Sequence, residues 1–352
     1  MSLYLPIWCC WVVLFSLPTE FLQVEIPLWL WVIFVLGIDV GHVWSTIFRT
    51  YLDPEEFGRH QKLLLIAPFI SFILVALISW ISIFWFWRLL AYLALFHFVK
   101  QQYGFLALYK MKAKDFGVSK FFNDKWTLYW ATLYPVLYWH LAEGLHFNWF
   151  VEHDFLSLRP LLLGNSLLDL YILPFFNGLY WLIIIGWAIE EIQSAQQLNL
   201  GKLLWMLTTA VNWYAGIVYF NSDLVFTITN VVAHGIPYLS LIIYYQHQKA
   251  KLKSPKRSSS WKLAFFILFV VFLLAWLEEY CWDMFIYGER ASFFEAILAY
   301  PFELLEQPFA QAIAIAALTL PQLTHYIIDG FIWKSNAANP YVKQIFSTKS
   351  SQ

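Results

Sequence analysis

Apolar stretches too long for a soluble core recur along this 352-residue chain. The run from Trp261 to Trp282, WKLAFFILFVVFLLAWLEEYCW, is one of several that exceed the roughly 18 residues marking a membrane helix. Backbone in hydrocarbon must satisfy its own hydrogen bonds, so only helices and closed barrels cross a bilayer. A barrel would read as short alternating segments, and these are absent. With 61% hydrophobic and 13% charged residues, the sequence predicts an all-α, polytopic transmembrane bundle, a single integral-membrane domain over 1–352.

The hydropathy pattern places ten helices, near 3–17, 26–50, 62–85, 88–109, 126–142, 171–192, 202–220, 223–246, 261–282 and 308–333, with a tight turn at Arg88. A basic linker at 248–260 and a tail at 335–352 are expected in the cytoplasm, and a shorter apolar stretch at 293–302 is expected at the interface. Charge asymmetry supports this count. All of the 22 lysines and arginines except Arg88, Lys100, Arg159 and Arg290 fall in the loops after helices 2, 4, 6 and 8 or in the tail. Basic residues collect on the cytoplasmic side, so both ends of the chain belong there. The expected location is a multi-pass plasma (inner) membrane. The basic run at 249–262 sets topology and can touch anionic lipid.

A net charge of −1 gives no attraction to nucleic acid. Cys9, Cys10 and Cys281 form neither a disulfide framework nor a thiolate metal site. Lacking a basic leader and a small-residue cleavage site, the first apolar segment reads as a retained helix. The 21% aromatic content fits an interfacial belt together with a wide apolar cavity or a bulky packing core.

Ionisable groups at membrane depth are costly and by default mark function. Four histidines lie there: His42, His97, His234 and His325, on helices 2, 4, 8 and 10. All four helices cross in the same direction, and the axial spread of about 10 Å is small enough for modest tilts to close. Each has a polar neighbour one turn away: Asp39, Gln101, Asn230 and Asp329 in that order. Spacings of three or four place both groups on one face. Imidazoles whose second nitrogen is held make good metal ligands, and with carboxylates nearby they suit a first-row metal, iron being the choice for oxygen chemistry. Asp39 and Asp329 are the candidate catalytic carboxylates, either anchoring imidazoles or joining as ligands. Gln101 and Asn230 would orient imidazoles, and Trp44, Phe98, Tyr238 and Tyr326 would line a substrate pocket. The competing reading is four buried hydrogen bonders that merely hold helices together. His60 and His247 read as interfacial, His140 lies at the outer end of helix 5, and His146 and His153 belong to an outer loop. Glu278, Glu279 and Asp283 read as a solvated cap.

No HxxxH, HExxH, Walker A, GxSxG or GxGxxG motif is present. The order of the segments resembles the Brp/Blh family of membrane β-carotene 15,15′-dioxygenases. AALTLPQLTHYIIDGFIWK at 316–334 is similar to that family's last helix, and LFHFVKQQYG at 95–104 to its mid-chain helix. GIDVGHVW at 37–44 and NVVAHGIPYLSLIIYYQH at 230–247 stand where the family has its other histidine helices. There are differences: His325 comes four residues after Pro321 rather than directly after proline, Asp39 precedes His42, and ten helices exceed the family's seven or so. The resemblance implies a non-haem Fe(II) held by histidines of separate helices, with O2 as co-substrate, oxidising or cleaving an apolar polyene. The expected function is a membrane oxygenase acting on a lipid, isoprenoid or carotenoid, its partners being that lipid-soluble molecule and the membrane lipids. Two other classes stay open: a haem-binding membrane redox protein, and a metal-free acyl or prenyl transferase using an intramembrane histidine as base.

Overall fold

The computed structural model describes residues 3–23, 26–115, 121–144, 148–162, 165–194, 198–254, 260–297, 305 and 307–347. His146, Lys120, linker positions 255–259, positions 298–302 of the short apolar stretch and tail positions 348–352 lie outside them. The described residues are helical, with no strand among them. The long helices are α1 (Leu5–Leu14), α2 (Leu28–Arg49), α3 (Pro54–Ile81), α4 (Ile83–Ala113), α5 (Asp124–Leu141), α6 (Leu168–Gln193), α7 (Leu200–Trp213), α8 (Asp223–Lys253), α9 (Trp261–Tyr287) and α10 (Pro308–Ile332).

Seven of them, α2, α3, α4, α6, α8, α9 and α10, are long and apolar enough to cross a membrane. The chain is therefore a helical membrane protein. The other three of the ten expected crossings fall short of that measure. At ten residues α1 rises about 15 Å, half of a hydrocarbon core of roughly 30 Å.

Local chemistry sets the helix ends. Asp53 accepts the N–H groups of Glu55 and Glu56 to open α3, with Pro54 at the first helical position. Asn123 and Asn199 cap α5 and α7 in the same way. Beyond α9 the chain stops at Gly288, whose left-handed φ of 66° lets its N–H return to the Asp283 carbonyl. Several boundaries differ from the sequence expectation, among them the start of α3 at Pro54, eight residues before the expected 62. The turn expected at Arg88 lies at the extended Ser82, because the Arg88 guanidinium lies over Phe84 and Trp85 and so rides within α4 without breaking it. Helix α8 also runs through the first part of the expected linker, since Lys249 and Lys253 pair with acidic residues that open α3.

The described chain divides into two compact units. The division falls inside α4 and α8, which a hydropathy profile reads as unbroken helices. Unit 1 holds residues 1–27, 91–237 and 346–352. Its core includes Leu95, Phe98, Trp139, Trp213 and Phe226. At one end the fully buried Lys202 ammonium meets Asp115 at 2.5 Å, Glu191 at 2.8 Å and Asp124 at 3.6 Å. Asp124 also accepts from Lys110 and from the Trp187 indole. One cation thus joins α6, α7 and the start of α5 to the segment after α4. Unit 2 holds residues 28–90 and 238–345. There α3 packs along α10, and α2 packs against both α9 and α10. Arg49, fully buried, pairs with Glu56, donates to the Ile332 carbonyl that ends α10, and lies over the Tyr245 ring.

Removing one member of such a buried network leaves the others uncompensated, at a cost of about 3–5 kcal/mol. Lys202→Met should therefore lower the unfolding midpoint sharply in detergent. Adding Glu191→Gln to it should recover part of the loss, because one stranded carboxylate is then neutral.

Candidate metal centre

Within α2, residues Trp31–Val40 wind in wide π-type turns before ordinary α-helix resumes at Gly41. The Gly41 N–H reaches back to the Leu36 carbonyl. A Cβ on Gly37 would stand 3.1 Å from the Val32 carbonyl, so glycine gives that turn its room. Wide turns re-aim the side chains beyond them and often mark functional sites. Here they deliver His42, one residue into the resumed helix, and Asp39, whose carboxylate lies 3.6 Å from His42 Nδ1.

In unit 2 the His42 and His325 rings meet edge to face, 5.0 Å between centroids. Tyr238 stands edge-on to both. His325 Nδ1 lies 2.7 Å from the Thr46 hydroxyl, which lies 3.1 Å from the Tyr238 hydroxyl. All four residues are buried. The sequence assigned the hold on His325 to Asp329. The structure gives the Nδ1 contact to Thr46 on α2. The sequence signal for Thr46 is its spacing: it follows His42 by four residues and shares its face.

Unit 1 carries a second pair of nearly the same geometry. The His97 and His234 rings lie 5.1 Å apart at 81°. Phe98 stacks on His234 at 3.7 Å and 4°, fixing the plane of that imidazole. Trp149, from the segment after α5, meets the outer edge of Phe98. Asp154 holds Trp149 in place by accepting the N–H groups of Trp149, Phe150 and Val151. Burial pushes the Asp154 carboxyl up despite those bonds.

Gln101 and Asn230 do not orient these imidazoles as expected. Both are buried, and neither carboxamide has a hydrogen-bond partner among the described residues. A shared helical face brings each within a turn of its histidine, while the His97 and His234 rings meet each other and Phe98 stacks on His234. An unpaired buried polar group costs about 1–3 kcal/mol. The other candidates divide. Phe98 and Tyr238 sit directly against histidines, while the Tyr326 hydroxyl is taken by Gln322 and the Trp44 indole by Glu278. Protein groups hold the expected solvated cap: besides that Trp44 bond to Glu278, Asp283 accepts the N–H groups of Glu289 and Arg290 as the chain folds back at Gly288. His60 bonds Asn339, His140 bonds Tyr92, and His153 is exposed.

One ring nitrogen from each of His42, His97, His234 and His325 lies within 4.8 Å of the other three, and all four residues are buried. The four make a group that could hold a metal ion. The donor set fits one: neutral imidazoles suit first-row metals, and His325 has its second nitrogen held.

Comparison with protein-family models, with curated proteins and with solved structures returns no match.

If Thr46 holds His325 for metal binding, Thr46→Val should weaken metal affinity by roughly 10–100-fold, the usual scale for losing such a support. Thr46→Ser should retain it. Competition with a graded series of chelators measures both.

Proposed function

We propose that this chain is an integral-membrane, non-haem iron oxygenase that oxidises a lipid-soluble substrate of the isoprenoid or carotenoid kind. The observation that carries the proposal is the group of four buried imidazoles whose nitrogens lie within 4.8 Å of one another. Buried polar side chains in an apolar helical chain need partners, and a metal satisfies all four nitrogens together. Zinc fits imidazole equally well but has no redox chemistry, whereas iron joins the same donors to oxygen activation. The segments around His42, His97, His234 and His325 resemble the histidine helices of the Brp/Blh dioxygenases, which favours the same assignment.

A haem reading has less support. A porphyrin supplies its own four equatorial nitrogens and takes protein ligands only axially. Four imidazoles gathered within 4.8 Å already supply the donors that a macrocycle would bring.

In this reading His42, His97, His234 and His325 hold the iron, which when bound supplies oxygen activation. Thr46 keeps His325 in one orientation and Phe98 keeps His234 flat. Asp39, 3.6 Å from His42 and one-third exposed, is placed to exchange a proton at Nδ1. The aromatic surfaces of Phe98 and Tyr238 give an apolar body something to pack on. In the same proposal the loops rich in lysine and arginine face the cytoplasm, in keeping with the distribution of basic residues.

Elemental mass spectrometry on detergent-purified protein tests the reading. Wild type should carry iron without a Soret band, and His325→Ala should lose it, as should a variant with all four histidines replaced. Full metal occupancy in His325→Ala would overturn the ligand assignment. A wild type that takes up no iron would remove the oxygenase reading.

A further inference from the structure

We infer that the buried carboxamides of Gln101, Asn212 and Asn230 bind the oxygen-bearing end of the substrate, so that the protein selects a lipid-soluble alcohol or carbonyl compound over a pure hydrocarbon. The inference rests on the oxygenase reading and narrows its substrate class.

The three residues belong to α4, α7 and α8 of unit 1. Gln101 follows His97 by four residues, and Asn230 precedes His234 by four, so each shares a face with one member of the His97–His234 pair. The third helix is oriented by its contacts. Trp205 and Thr209 of α7 bond to the main chain and side chain of Gln102 on α4. Asn212 lies seven residues beyond Trp205 and three beyond Thr209, on that same face. Trp213 beside it packs on Phe226 of α8, which stands one turn before Asn230.

Exposure is 6% for Gln101 and 1% for each asparagine. Every side-chain nitrogen and oxygen of the three lacks a hydrogen-bond partner among the described residues. Hydroxyls close by behave differently: Thr209 donates to Gln102 and Thr229 to the Val225 carbonyl. In each of these three carboxamides, by contrast, both polar atoms are left unpartnered among the described residues.

Chemistry narrows the ligand. A carboxamide offers both N–H donors and a carbonyl acceptor, which matches a hydroxyl or a carbonyl. A carboxylate or phosphate would call for a cation, and the lysine on this part of α4, Lys100, is exposed. Phe98, Trp213 and Phe226, from the same three helices, belong to one apolar cluster that the rest of the molecule could pack on. Sites that hydrogen-bond a substrate hydroxyl discriminate strongly against the analogue without it, because their own polar groups are then left unpaired.

The test uses the full chain in nanodiscs with two tritiated probes: a C20 prenyl alcohol, geranylgeraniol, and the same hydrocarbon without the hydroxyl. Binding is read as retention above empty nanodiscs, and metal content is measured on the same samples. Wild type should bind the alcohol at least about tenfold more tightly, a difference of ~1.4 kcal/mol. Asn230→Leu and the near-isosteric Gln101→Met should each reduce that preference severalfold while melting at or above the wild-type temperature, since an apolar isostere removes an unpaired group. Equal binding of the two probes, a preference unchanged in both variants, or a marked fall in melting temperature in both would overturn the inference. Iron present with equal probe binding sinks the inference and leaves the oxygenase reading standing. Iron absent with an alcohol preference lost in the variants does the reverse.

Discussion

Everything about this chain turns on the cost of placing imidazoles among apolar helices. A neutral imidazole carries one donor and one acceptor, and hydrocarbon offers neither. The four histidines are nonetheless buried to 5% exposure or less. The structure meets the cost through rings that meet edge to face at 5.0 and 5.1 Å, a hydroxyl on His325, an aromatic plate on His234, and nitrogens gathered within 4.8 Å. Gathering four such rings in one group is a solution that could also hold a metal ion.

Much of this was legible in the sequence, for a physical reason. Hydropathy reports burial in lipid directly, so the long helices could be placed, and a histidine in such a helix stands out because so few polar residues surround it. Spacing of three or four was a weaker guide, since it reports which residues share a face and not which atoms meet. It paired Asp39 with His42, and the two lie at 3.6 Å. It also paired Gln101 with His97 and Asn230 with His234, where the carboxamides make no hydrogen bond among the described residues. The hold on His325 came from another helix, which spacing within one helix cannot reveal. The turn at Ser82 and the extension of α8 to Lys253 were hidden similarly: each depends on a charge being covered, Arg88 by local aromatic rings and Lys249 by carboxylates distant in sequence.

The wide turns of α2 show how one helix can serve two purposes. An α-helix of lipid-facing residues would present a fixed series of faces. The stretch Trp31–Val40 alters that series just before His42, and Gly37 makes the departure sterically open. Regular α-helix then carries the face onward by four residues to Thr46. One helix thereby supplies a candidate ligand and, a turn later, the hydroxyl that orients a ligand of α10.

That hydroxyl belongs to a short run of polar contacts drawn from three helices. His325 Nδ1 of α10 lies 2.7 Å from the Thr46 hydroxyl of α2, which lies 3.1 Å from the Tyr238 hydroxyl of α8. A hydroxyl both donates and accepts, so Thr46 can serve His325 whichever ring nitrogen carries the proton, and Tyr238 can complete either arrangement. An ionised carboxylate in the same place could only accept, and it would bring a full charge into an apolar bundle. A neutral hydroxyl supplied by a neighbouring helix therefore holds the ring without that cost, and this is why the support of His325 is found across helices and not one turn along its own.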